Sequence, residues 1–130
     1  MEKLTKTDLK TYSNISPLLI ECDNFDELSN LQDVVVINAE ISSCELSILN
    51  GKNGLKKPEW YISLESKKNP FLLINQLDKI EEEEQEKFYE MLKYKTISNI
   101  DLPKNTKIVL LFKDLKKINK NILSLCLVLK

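Results

Sequence analysis

The stretch PFLLINQLDKI, residues Pro70–Ile80, decides how this chain is read. Phe71–Ile74 is an unbroken apolar run, which suits a strand of a parallel sheet covered on both faces. The run ends in two neutral amides, Asn75 and Gln76, and continues as Leu77-Asp78-Lys79-Ile80. Both amides stand where such a strand would present chemistry at its carboxyl end.

Four further apolar runs have the same character: Pro17–Cys22, Val34–Ala39, Lys107–Phe112 and Ser124–Leu129. Between them lie segments read as helices. Asn24–Gln32 follows Asp23, a good N-cap. Ser42–Leu49 is brief and ends before Asn50-Gly51. Pro58–Lys68 has proline at its start, where a first turn tolerates it. In Glu81–Tyr94, Phe88, Met91 and Leu92 form an i, i+3, i+4 apolar stripe. Leu115–Asn121 reads as a short helix or turn. This alternation predicts one α/β domain over residues 1–130, three-layered, with a mainly parallel five-stranded sheet. Both glycines, Gly51 and Gly54, fall in Asn50–Lys57, which reads as an internal loop.

Composition excludes several chemistries. All 19 basic residues are lysine, since the chain has neither arginine nor histidine. Arginine fingers, bidentate phosphate clamps, histidine bases and histidine metal ligands are therefore absent. A net charge of -1 gives no general attraction to nucleic acid or anionic membrane. Cys22, Cys44 and Cys126 are odd in number and widely spaced, which predicts buried reduced thiols in a cytoplasmic protein. The polar start, Met1–Asn14, reads as lacking a secretory leader, and no apolar run is long enough for a membrane span. The acids Glu81–Glu84 read as a solvated first helical turn, because adjacent glutamates point in different directions. Asp78 and Glu81 are explained in the same way.

The C-terminal half resembles the core of an AAA+ ATPase of the clamp-loader type, such as the delta-prime and gamma/tau-like subunits of DNA polymerase III. Phe71–Ile80 is similar to a Walker B strand with its apolar-Asp-Lys-apolar tail. Glu86–Leu92 resembles the helix that follows, Asn105–Ile118 the sensor 1 strand and turn, and Ile122–Val128 the segment that carries the arginine finger. The resemblance implies a P-loop NTPase fold and places four altered positions. Asn75 stands at the magnesium-linked acid and Gln76 at the water-activating one. Lys113 is at the sensor 1 position and Leu125 at the arginine finger. No Walker A loop follows Pro17–Cys22, where Asp23–Leu28 contains acids and no glycine. The resemblance also implies a helical lid beyond the core, for which the residues up to Lys130 leave no room.

The expectation is a non-catalytic protein-interaction module linked to DNA replication or repair, with AAA+ or replication proteins as partners. No catalytic residue, cofactor or metal is expected. The alternative is a nucleic-acid-binding accessory factor using Lys113, Lys116, Lys117 and Lys120, with Lys104 and Lys107 near by in sequence. Trp60 and Tyr61 could stack on bases, but their helical setting predicts packing on the sheet.

Overall fold

The computed structural model describes residues 12–13, 16–21 and 33–129. The helix read at Asn24–Gln32, and Cys22, lie outside them. In chain order the strands are β1 (Leu18–Glu21), β2 (Val34–Asn38), β3 (Leu49–Gly51), β4 (Gly54–Lys56), β5 (Phe71–Asn75), β6 (Thr96–Ile97), β7 (Ile100–Asp101), β8 (Lys107–Phe112) and β9 (Leu127–Leu129). The helices are α1 (Ser43–Leu46), α2 (Glu59–Glu65), α3 (Glu82–Gln85), α4 (Tyr89–Tyr94) and α5 (Lys120–Leu125).

Five strands form a parallel sheet in the order β2-β5-β8-β1-β9. The fold class is α/β. Both faces are buried over the inner strands β5, β8 and β1, which explains why these read as continuous apolar runs, while the edge strand β2 buries only Val35 and Ile37. Leu19, Val35, Ile37, Leu72, Ile74, Ile108, Leu110 and Phe112 point to one face. There they meet Leu46 of α1, Trp60 and Leu64 of α2, Met91 and Leu92 of α4, and Ile122 of α5. Leu18, Ile20, Phe71, Leu73, Val109 and Leu111 form a second cluster on the opposite face. The β1 strand lies between β8 and β9, not beside β2, so the order differs from both common doubly wound sheets.

Several expected elements change at their ends. Ser124–Leu129 is not one strand: α5 runs to Leu125 and β9 begins at Leu127. Asn119 causes this, because its Oδ1 caps α5 by accepting from the N–H of Asn121 at 2.7 Å and of Ile122 at 3.4 Å. Leu115–Asn121 correspondingly divides into a 3-10 turn, Leu115–Lys117, and the start of α5. Glu81–Tyr94 is α3 and α4 joined by the 3-10 turn Glu86–Phe88, with Phe88, Met91 and Leu92 all buried as their spacing requires. The loop Asn50–Lys57 contains most of a small antiparallel hairpin, β3–β4. Among the described residues, no helix is long and apolar enough to cross a membrane.

A second hairpin, β6–β7, turns at Ser98 and Asn99, both at positive φ. Glu90 of α4 holds this turn. Its carboxylate accepts from Thr96 Oγ1 at 2.6 Å, from the N–H of Asn99 at 2.8 Å and from the N–H of Ser98 at 3.2 Å. Burial pushes the Glu90 carboxyl up, but these hydrogen bonds outweigh it and leave the pKa below the usual glutamate value. The folded pKa is thus the lower one. The stability that Glu90 contributes is present above the unfolded pKa and lost as pH falls through the folded value. Glu90→Gln is expected to cost about 1 kcal/mol at neutral pH and to remove that acid-side loss. Urea unfolding of both proteins at several pH values between neutrality and acid checks it.

Candidate functional site at the carboxyl ends of the strands

In open α/β sheets, ligands bind outside the carboxyl ends of the strands, where neighbouring connections run in opposite directions. Here that place lies between β1 and β8. The chain leaves β8 for β9 at one edge of the sheet, whereas β2, which follows β1, lies at the other edge. Glu21 and Phe112 are level at the ends of these two strands. Lys113 follows directly, Asn75 ends the adjacent β5, and Gln76 comes next.

The structure does bring Asn75, Gln76 and Lys113 together. With Asp78, Lys79 and Phe112 they line a cavity of ≈ 50 Å³. Ligand pockets are typically about 300–1,000 Å³, so this space suits a water molecule rather than a nucleotide. Several of the groups around it are held by neighbouring elements. Asn38, at the end of β2, is level with Asn75, and the Asn75 carbonyl accepts from the N–H of Ala39 at 2.9 Å. Asn38 Nδ2 donates to Gln76 Oε1 at 3.2 Å, while Asn38 Oδ1 accepts from the N–H of Glu40 at 2.9 Å.

Gln76 adopts φ 61°, ψ 44°, a left-handed conformation that costs a non-glycine residue about 1–2 kcal/mol. The kink lets the chain leave β5 and bury Leu77 completely in the 3-10 turn Leu77–Lys79. Asp78 in that turn is a fastener. Its Oδ2 accepts from the N–H of Asp114 at 2.9 Å and of Lys113 at 3.2 Å, tying the end of β5 to the end of β8. The Asp of the Asp-Lys tail therefore has a structural job of its own. Glu81–Glu84 are exposed at the start of α3, away from this arrangement in role, as their placement in a first turn predicts.

A second fastener was not visible in the sequence reading. Gln85 is completely buried. Its Nε2 donates to the carbonyls of Lys117 at 2.8 Å and Ile80 at 3.3 Å, and its Oε1 accepts from the N–H of Asn119 at 2.8 Å. Asn119 Nδ2 in turn donates to the Glu82 carbonyl at 2.8 Å and to Glu86 Oε1 at 3.1 Å. The signal that could have exposed it is positional. Gln85 lies three residues before Phe88 on the apolar stripe, and an amide there must be buried with partners.

The remaining candidate residues separate. Leu125 ends α5 half-buried against the core, and its carbonyl accepts from Ser16 Oγ at 3.3 Å, so its side chain is part of this domain's own packing. Lys113, Lys116, Lys117 and Lys120 are exposed on the carboxyl side of β8. Lys104 and Lys107 do not join them. Lys107 is buried, with Nζ 5.2 Å from the Phe71 ring centroid. Lys104 precedes a six-residue strand that Lys113 follows, which separates the two by roughly 20 Å. The suggested lysine edge from Lys104 to Lys120 is thus two separate ends of β8. Trp60 and Tyr61 are buried on the sheet, and Tyr61 Oη donates to the Asp101 carbonyl at 2.5 Å, so neither is free to stack on a base. Burial pushes the Cys126 thiol up to about 12, which makes it a poor nucleophile. Cys44, expected to be buried, is instead an exposed free thiol, because it sits on the outer side of the short helix α1, whose buried residue is Leu46.

No family model matches the sequence. No curated protein matches it either. Among solved structures, NtrX from Brucella abortus superposes with a TM-score of 0.56 at 13% identity, over 96% of this chain. The chain spans 35% of the NtrX chain. At that identity the likeness extends to the α/β fold alone.

Proposed function

We propose that this domain has a P-loop NTPase layout of the AAA+ kind and works as a non-catalytic protein-interaction module, in the manner of a clamp-loader-type subunit. The observation that carries the reading is the state of the carboxyl-end crevice. Among the described residues, three of its polar groups are engaged in holding the fold: Asp78 on the β8 turn, Gln76 on Asn38, and the Asn75 carbonyl on Ala39. An amide at either altered position preserves shape, but supplies no charge for magnesium and no base for water. The strand order also supports it, because it sets the sheet apart from the two doubly wound orders that keep β1 beside β2.

The nucleic-acid alternative rests on the four exposed lysines after β8. Acids dilute that edge: Asp114 stands within it, and Glu86 Oε1 accepts from Asn121 Nδ2 at 2.9 Å beside Lys120. Calorimetric titration with ATP–Mg is expected to give no binding heat up to about 1 mM, and micromolar affinity would overturn the proposal. The same titration with duplex DNA at low salt separates the alternative, which requires binding that weakens as salt rises.

A further inference from the structure

We infer that the free edge of β2, together with the groove beside it, is a docking site for an extended apolar peptide carrying basic residues. The inference rests on the reading of the domain as an interaction module and names the surface and the chemistry of its partner.

Among the described residues, the β2 strand is at the edge of the sheet and pairs on one side only, with β5. The N–H of Phe71 donates to the Asp33 carbonyl and the N–H of Ala39 to the Asn75 carbonyl, which sets the phase of the ladder. In a parallel pair, bonds come from alternate residues, so Val35 and Ile37 face β5. Val34, Val36 and Asn38 therefore turn their backbone groups outward. The Asn38 carbonyl is taken by the N–H of Ile41 at 3.0 Å. This leaves a short register of outward donors and acceptors centred on Val36, whose side chain is 41% exposed. Exposed parallel edges are unusual, and native edges are commonly blunted by lysine, proline or a bulge. The β2 strand, Val34–Asn38, has none of these.

Beside this edge runs a groove of ≈ 700 Å³, floored by Val35, Ile37 and Trp60 and walled by Ile41, Glu45 and Glu59. Trp60 is buried, and its indole N–H has no hydrogen-bond partner. A chain laid along β2 would bond to the outward backbone groups and set alternate side chains over the groove, which is strand addition.

Charge identifies the occupant. The chain has 19 lysines against 20 acids, yet among the described residues lining the groove there are two glutamates and no lysine. Glu45 and Glu59 are exposed at its rim. A second copy pairing β2 with β2 would bring two acidic rims together, at a cost in repulsion. A partner strand with basic residues relieves that cost and gains attraction.

Trp60 is the only tryptophan, so its emission reports on the groove directly. The probe is an end-capped hexapeptide, KVTVKV, compared with EVTVEV. The basic peptide is expected to shift Trp60 emission saturably, to slow amide exchange at Val34 and Val36, and to weaken with added salt. The acidic peptide is expected to bind at least tenfold more weakly. A double variant, Glu45→Lys with Glu59→Lys, should reverse that preference. Val36→Pro should abolish binding while leaving the β5 ladder intact, because the donor it removes points outward. No shift with either peptide, equal affinity for both, or an unchanged preference in the double variant would each overturn the inference. So would a dimer in sedimentation that Val36→Pro dissolves. None of these results bears on ATP–Mg binding, which tests the underlying reading separately.

Discussion

Gln85→Ala is expected to lower the unfolding free energy by about 3–4 kcal/mol, seen as a reduced urea midpoint with an unchanged slope. The substitution removes three hydrogen bonds from a fully buried site. It also strands the N–H of Asn119 and the carbonyls of Lys117 and Ile80 without the partner they lose. A net hydrogen bond contributes only about 1 kcal/mol, but a buried group left unpaired costs about 1–3 kcal/mol, so the stranded groups dominate. Gln85→Glu separates packing from hydrogen bonding. It preserves size and the acceptor for Asn119, but turns a donor into a charged acceptor against two carbonyls. It should be at least as destabilising at neutral pH. If both variants unfold within about 0.5 kcal/mol of the parent, the network does not hold α3 to the segment after β8.

Asp78→Ala is expected to cost about 2–3 kcal/mol. Its carboxylate accepts two backbone N–H bonds at 2.9 and 3.2 Å, and bonds to a charged acceptor are stronger than neutral ones. The figure lies below a full sum of two such bonds because Asp78 is half-buried and water replaces part of the loss. The effect should be local: amide exchange at Lys113 and Asp114 should accelerate far more than in β5 or β8. Asp78→Asn retains an acceptor oxygen without the charge and should lose about half as much. Uniform acceleration across the sheet would show that Asp78 acts on global stability and not on the crevice.

These two fasteners differ in how they read from the sequence. Asp78 was conspicuous as part of an Asp-Lys tail, but its partners lie 35 and 36 positions away and follow a strand whose neighbours were not known. Gln85 looked like one polar residue in an acidic helix start. Only the closeness of α3 to the turn before α5 makes it a buried hub. Asn38 shows the same limit. Its pairing with Gln76 needs β2 and β5 to be adjacent and in register, which no local spacing states.

The apolar runs at Phe71–Ile74 and Ile108–Phe112 announce buried parallel strands, because a strand covered on both faces needs apolar residues at every position, whereas Val34–Ile37 reads the same way but buries only Val35 and Ile37. The Phe88–Met91–Leu92 stripe and the lack of arginine and histidine were equally plain, being matters of period and composition. Strand order was not, since which strands pair depends on how long connections cross the sheet. Where α5 ends and β9 begins is also hidden, because Ile122–Val128 is apolar enough for either: the Asn119 cap starts the helix and the backbone turns extended only at Cys126. The groove beside β2 was hidden altogether. It exists because the edge of the sheet, α1 and α2 meet there, and Val36, Trp60, Glu45 and Glu59 become neighbours only in three dimensions.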